Sequence, residues 1–195
     1  MPDRYLIVGL GNPGREYRTN RHNAGFMLLD RFVERHKLFG FTKRQGKALI
    51  TTDLLGAASI VLAKPQTFMN LSGEAVSSLV HFYNLPLERL LVCVDDIDLP
   101  LGNLRLRPEG GSAGHNGMGS IIEQLGTEVF PRLRLGVGRP PGSKAAAGYV
   151  LRDFRGEEQE IMTLALDKGV DAVEFFIREG LVTSMNRYNG PADKP

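Results

Sequence analysis

The chain is predicted to be a single-domain α/β protein: a mixed twisted sheet with helices on both faces, in three layers. Two observations carry this. Apolar runs of strand length alternate with segments of helical periodicity along the 195 residues. No internal repeat, low-complexity tract or composition break divides the sequence, and 42% apolar residues suffice for one sizeable core, so residues 1–195 read as one domain.

The elements follow in order. Tyr5 to Leu10 is an unbroken apolar run and reads as a buried strand, and residues 23–37 place Phe26, Leu29, Phe32 and Val33 on one side of a helix. Residues 47–55 and 58–63 flank Gly56 as a hairpin. A second helix runs from Ser72 to Tyr83 with Val76, Leu79, Val80 and Tyr83 at helical spacing, and Pro86 ends it. Residues 90–95 form another buried strand, and strands at 103–107 and 132–137 enclose a helix at 116–125. The longest helix runs from Glu157 to Arg178, with acids in its first turn that suit the positive end of its dipole. Residues 189–195, with two prolines, read as a frayed tail.

The single Cys93 cannot form an internal disulfide, and its apolar neighbours suggest a thiol held in a strand, which fits a reducing cytoplasm. No apolar run approaches the roughly 20 residues that cross a membrane, and the N-terminus lacks a signal-peptide pattern. The net charge of +2 conceals segregation: residues 1–50 carry +6 and 101–155 carry +4, while 51–100 and 156–195 each carry −4. Two basic segments in one small domain suit a polyanion such as nucleic acid, although charge alone favours the simpler reading of solvated loops and helix faces.

In such a fold, polar residues just beyond the carboxyl ends of buried strands are the first place to look for a site. Gly11 to Gly14, Lys64 to Asn70, Asp95 to Asp98 and Gly110 to Gly117 qualify. Two motif matches among them are decoys. Gly9-Leu-Gly-Asn-Pro-Gly14 fits a dinucleotide fingerprint, but Pro13 and the polar stretch to His22 separate the glycines from the helix, and no second strand ends in an acid about 20 residues on. Gly110-Gly-Ser-Ala-Gly114 fits a nucleophile elbow, but the only histidine after Ser112 is His115, three residues on, so the triad order fails. Asp95, Asp96 and Asp98 invite a metal. Strand alternation sets Asp95 against the other two, so one carboxylate serves the site while others cap the turn, and no metal or other cofactor is expected.

His22 is the stronger candidate for chemistry, because a neutral imidazole takes a proton from water near pH 7 and a carboxylate such as Asp95 would orient it and stabilise the imidazolium. A lone histidine before a helix is more often structural than catalytic. His36 and His81 lie in helices, while His115 sits in the glycine loop.

The strings Val8 to Gly14, Tyr17, Thr19 to Gly25, Lys64 to Gly73, Asp95 to Gly102, Gly114 to Gly117 and Arg132 to Gly138 occur in this order. Together they resemble the bacterial peptidyl-tRNA hydrolase family, over residues 4–188. The resemblance implies that His22 is the catalytic base, that Asp95 supports it, and that Asn12 distinguishes a peptide from the free amine of an aminoacyl-tRNA. It implies that Tyr17, Phe68, Asn70 and Asn116 contact the tRNA 3′ end or the adjoining peptide, with Met69 and His115 lining the same crevice. Arg107 and Arg134 match positions that meet tRNA phosphates; the former is more usually Lys, and Arg suits phosphate at least as well. The activity implied is hydrolysis, without cofactor, of the ester between peptide and tRNA in peptidyl-tRNAs released prematurely from the ribosome. The implied enzyme is a cytoplasmic monomer with no membrane or obligate protein partner. A non-catalytic RNA-binding protein on the same fold is the alternative.

Overall fold

The computed structural model describes residues 3–140 and 146–193. Eight strands, β1 (Arg4–Gly9), β2 (Lys43–Gln45), β3 (Ala48–Leu55), β4 (Ala58–Pro65), β5 (Leu90–Asp96), β6 (Asn103–Arg107), β7 (Arg132–Gly136) and β8 (Gly190–Pro191), form one sheet in the order β2-β3-β4-β1-β5-β7-β6-β8. The central strands β4, β1, β5 and β7 run parallel, and the strands outside them pair antiparallel. Parallel strands require crossovers that place helices on the faces, so their sequences are apolar on both sides, as Leu6, Ile7 and Val8 are.

Alternation divides the core in two. Ile7, Leu62, Leu91, Cys93, Leu133 and Leu135 point to the face covered by α1 (Ala24–Arg35) and α5 (Glu157–Glu179), and burial pushes the Cys93 thiol pKa up. Leu6, Val8, Val61, Val92 and Val94 point to the face covered by α2 (Ser72–Phe82) and α3 (Asn116–Leu125). The three-layer architecture is therefore the one expected, and of the stripes that periodicity marked on α1 and α2, Phe26, Leu29, Phe32, Val76 and Leu79 are buried and Val33, Val80 and Tyr83 half-buried. The short α4 (Ala146–Val150) and α6 (Leu181–Tyr188), with β2 and β8, carry too few periodic apolar positions to be read from sequence.

The tail expectation is corrected for residues 189–193. Gly190 pairs with Leu104 and Pro191 with Asn103, Ala192 N–H donates to the Gly102 carbonyl, and the Asn189 side chain exchanges both kinds of hydrogen bond with the Leu106 backbone. The physical reason is the open edge of β6: its unpaired backbone groups accept the segment, and Pro191 is tolerated at an edge. Residues 194–195 lie outside the described ones.

The glycines of the false dinucleotide fingerprint have a packing role. A Cβ on Gly25 would sit 2.3 Å from the Cys93 carbonyl oxygen and 2.4 Å from the Leu10 nitrogen, and one on Gly9 would sit 2.3 Å from the Gly25 oxygen. The start of α1 thus lies directly on the backbones of β1 and β5. Gly25→Ala is expected to destabilise the protein by about 3 kcal/mol, the upper end of overpacking costs, since backbone rather than a flexible side chain must yield. Urea unfolding checks this, and a midpoint unchanged from the parent would refute it.

Candidate active site

All four parallel strands end at one edge of the sheet, on either side of central β1, where an α/β sheet opens a crevice. The segments after them converge on a cleft of about 540 Å³. Asn12 enters it from beyond β1, Phe68, Met69 and Asn70 from beyond β4, Asp95 from the end of β5, His115 and Asn116 from the start of α3, and Arg134 from β7. His22 reaches it from the 3-10 turn Arg21–Asn23 that leads into α1. Tyr17 and Arg107 are not brought into this lining: Tyr17 is half-buried in the turn Arg15–Tyr17, and Arg107 is exposed on β6. The crevice is also walled by Ala146, Ala147, Val150 and Leu151, which sequence reasoning missed because α4 is too short to show a period.

At the centre, Asp95 holds two imidazoles. His22 Nδ1 lies 3.0 and 2.9 Å from the two Asp95 carboxylate oxygens, and His115 Nε2 lies 2.9 Å from Oδ1. The tautomers follow from these contacts. The Met118 backbone N–H donates to His115 Nδ1 at 3.2 Å, so the His115 proton sits on Nε2 and is given to Asp95. His22 likewise gives its Nδ1 proton to Asp95, which leaves the lone pair on Nε2, without a partner among the described residues. Burial pushes the Asp95 carboxyl up, but the two imidazoles, through their N–H bonds and through their charge whenever they are protonated, outweigh it and hold the group well below the usual carboxylate range. The three side chains offer ligand atoms within 4.8 Å of one another, yet His115 meets Asp95 with a hydrogen rather than a lone pair. In this tautomer His115 offers Asp95 a donor and keeps no free lone pair for a cation.

Asn12 is as firmly fixed. Its backbone N–H donates to Asn23 Oδ1 at 2.9 Å, and Asn23 Nδ2 donates to the Asn12 carbonyl at 3.0 Å. Its own Oδ1 accepts the Met69 N–H at 2.8 Å. An amide whose oxygen is committed in this way presents its NH2 group, so Asn12 offers the crevice a donor. Asn23 is a second residue the sequence hid, since an Asn ahead of a helix reads as an N-cap; here the side chain caps nothing and clamps Asn12 instead.

The remaining motifs also find their places. Asp96 Oδ1 accepts the Asp98 N–H at 2.8 Å while its other oxygen lies 3.4 Å from Arg134, and Asp98 pairs with Arg139; Asp96 thus holds the turn and also lines the crevice beside Asp95. Ser112 lines the crevice, but both His115 nitrogens are committed elsewhere, which leaves the elbow serine without its base. The glycine loop is tied down from below by Arg132, which is fully buried and donates to the Gly110, Glu128 and Phe130 carbonyls. Arg105 stands opposite Arg134 and Arg107 opposite Arg132, so four arginines share one face of the β6–β7 pair.

A carboxylate-backed histidine in a crevice of fixed amide donors, at the strand ends of a mixed α/β sheet, is an arrangement suited to a hydrolase. Residues 6–195 match the family model described as peptidyl-tRNA hydrolase. A Chloroflexus aurantiacus relative named peptidyl-tRNA hydrolase is 50% identical over 95% of this chain and 98% of its own length. A chloroplastic peptidyl-tRNA hydrolase of Arabidopsis thaliana is 48% identical over 95% of this chain and 64% of its own. The crystal structure of peptidyl-tRNA hydrolase from Acinetobacter baumannii superposes with a TM-score of 0.89 at 32% identity, covering 97% of this chain and 96% of that one. An Arabidopsis 5′-methylthioadenosine nucleosidase shares the fold alone, with a TM-score of 0.55 at 8% identity. The chain belongs to the peptidyl-tRNA hydrolase family.

Proposed function

We propose that this protein hydrolyses the ester between the peptide carboxyl and the ribose oxygen of peptidyl-tRNAs released prematurely from the ribosome, recycling the tRNA, with His22 as general base. The observation that carries the reading is the His22 ring in the crevice, bound through Nδ1 to Asp95 and with no partner on Nε2 among the described residues. His22 Nε2 takes a proton from water as the water oxygen attacks the ester carbonyl carbon, and Asp95 stabilises the imidazolium. The tetrahedral oxyanion collapses with cleavage of the carbon–ribose oxygen bond, and the imidazolium returns its proton to the leaving ribose oxygen. Asn70 and Asn116 are the candidate oxyanion donors; Asn116 opens α3, where the helix dipole favours negative charge.

Exposed Phe68 is a stacking surface for the tRNA 3′ end, with Met69 and His115 beside it and Tyr17 further out. Arg134 and Arg107 face the tRNA phosphates, Arg134 exchanging Asp96 for phosphate. The reaction needs no metal or cofactor, because the substrate ester is activated and the base is supplied by the chain. No described helix is long and apolar enough to cross a membrane, and the enzyme is proposed to act as a cytoplasmic monomer. Release of N-acetylamino acid from N-acetylaminoacyl-tRNA by the purified protein tests the proposal, and tRNA binding without turnover would favour an RNA-binding role instead.

The same crevice must spare aminoacyl-tRNA, which differs only in carrying a protonated amine beside the ester. With its oxygen held by Met69 N–H, Asn12 offers an NH2 donor that meets a peptide carbonyl and repels an ammonium. Asn12→Asp retains the Met69 contact and turns the donor into a carboxylate. The ratio of specificity constants for N-acetylated over free aminoacyl-tRNA should fall by about 10- to 100-fold, the usual value of a hydrogen bond to a charged group. An unchanged ratio in the folded variant would remove Asn12 from selectivity.

A further inference from the structure

Arg21 precedes the candidate base by one residue and is only 4% exposed. A charge taken that far from water needs close partners; here the two Nη groups have them, while the buried Nε has none among the described residues. Its Nη1 donates to the Arg152 carbonyl at 3.1 Å and the Asp153 carbonyl at 2.6 Å, and its Nη2 donates to both Glu158 carboxylate oxygens at 2.7 and 2.6 Å. The guanidinium also lies over the Tyr149 ring at 4.4 Å and the Phe154 ring at 5.0 Å. Backbone contacts run alongside: Arg21 N–H donates to the Arg152 carbonyl, Asn20 forms an antiparallel bridge with Asp153, and Asn20 Nδ2 donates to the Leu151 carbonyl.

Every one of these partners lies between Tyr149 and Glu158, the stretch that joins α4 to α5. A five-residue helix cannot hold its own position, since it closes too few backbone hydrogen bonds. α4 is held by Tyr149, whose hydroxyl donates to the Val137 carbonyl at 2.9 Å and whose ring meets Arg21. Its apolar residues Ala146, Ala147, Val150 and the following Leu151 form the crevice wall, a lining suited to an amino-acid side chain rather than to phosphate.

We propose that Arg21 is a positioning residue that clasps the α4 wall through Glu158 and Tyr149, and so sets the fit of the substrate's side chain next to the ester. The proposal rests on the crevice being the ester site. The clasp needs the planar arginine fork, with carbonyls on one nitrogen, a carboxylate on the other and rings against its faces; a lysine ammonium meets only part of this set.

The test measures kcat and KM for N-acetylphenylalanyl-tRNA and N-acetylglycyl-tRNA in Arg21→Lys and Glu158→Gln. KM for the phenylalanyl substrate is expected to rise about tenfold and that for the glycyl substrate less than about threefold, with kcat and its pH profile kept, as for lost ground-state fit. Glu158 is 36% exposed at the start of α5, so Glu158→Gln carries the test if Arg21→Lys does not fold. Equal KM changes for both substrates, unchanged KM values, or a fall in kcat at constant KM would overturn the clasp. Failure of the site reading looks different: there His22→Ala itself would retain turnover.

Discussion

His22→Ala is expected to hydrolyse N-acetylaminoacyl-tRNA about 10²- to 10⁴-fold more slowly than the parent, the usual contribution of a positioned general base. The fold should survive, because His22 sits in a 3-10 turn at the crevice wall and the core beneath it is built by Leu28, Leu29 and Phe32 of α1. tRNA binding should persist as well, since the arginines of β6 and β7 lie on other elements. The rate should fall through kcat rather than KM, the mark of an interaction made in the transition state. A folded variant with near-normal turnover would exclude His22 as the base.

Asp95→Asn should cost a comparable factor, about 10²- to 10⁴-fold, through the tautomer rather than the charge alone. Two imidazole N–H groups point at Asp95, and a carboxylate accepts both. An asparagine has one oxygen and one NH2. His115 cannot adapt, because Met118 N–H keeps its lone pair on Nδ1 and its proton on Nε2. The asparagine oxygen therefore turns to His115, and the NH2 faces His22 Nδ1, which must then become the acceptor. The His22 proton moves to Nε2, and the lone pair that would take a proton from water is gone. His115→Ala in the same background frees the asparagine oxygen for His22 and should restore part of the rate. A double variant no faster than Asp95→Asn would refute this account of the pair. The parent's stability should also depend on Asp95: its carboxyl pKa is lowered on folding, so the contribution is full above the unfolded carboxylate range and is lost as pH falls through the folded value.

Much of the site was legible because its residues cluster in short strings after strands. The fold class, the main strands and helices, and the crevice at the strand ends follow from period and order, since alternation and helical spacing report locally which side of an element is buried. His22 and Asp95 were singled out by residue chemistry, and Asn12, Phe68, Met69, Asn70, His115 and Asn116, which the resemblance implied, lie in the same crevice lining. Tyr17 and Arg107, implied by the same resemblance, lie outside the crevice lining. The short elements were illegible for a physical reason: the three polar residues Lys43–Gln45, or the pair Gly190–Pro191, become strands only because a neighbouring edge pairs with them.

By itself, then, the sequence determined the layers, the order of the elements and the residue types that meet at the strand ends. Tertiary structure decided which atom each of those residues presents. His22 and Asp95 are 73 positions apart, Asn12 and Met69 are 57, and Arg21 and Glu158 are 137. Periodicity describes burial within one element, whereas a hydrogen-bond partner is set by how separate elements pack. That is why the His22 tautomer, the outward NH2 of Asn12 and the wall held by Arg21 emerge only once the chain is folded.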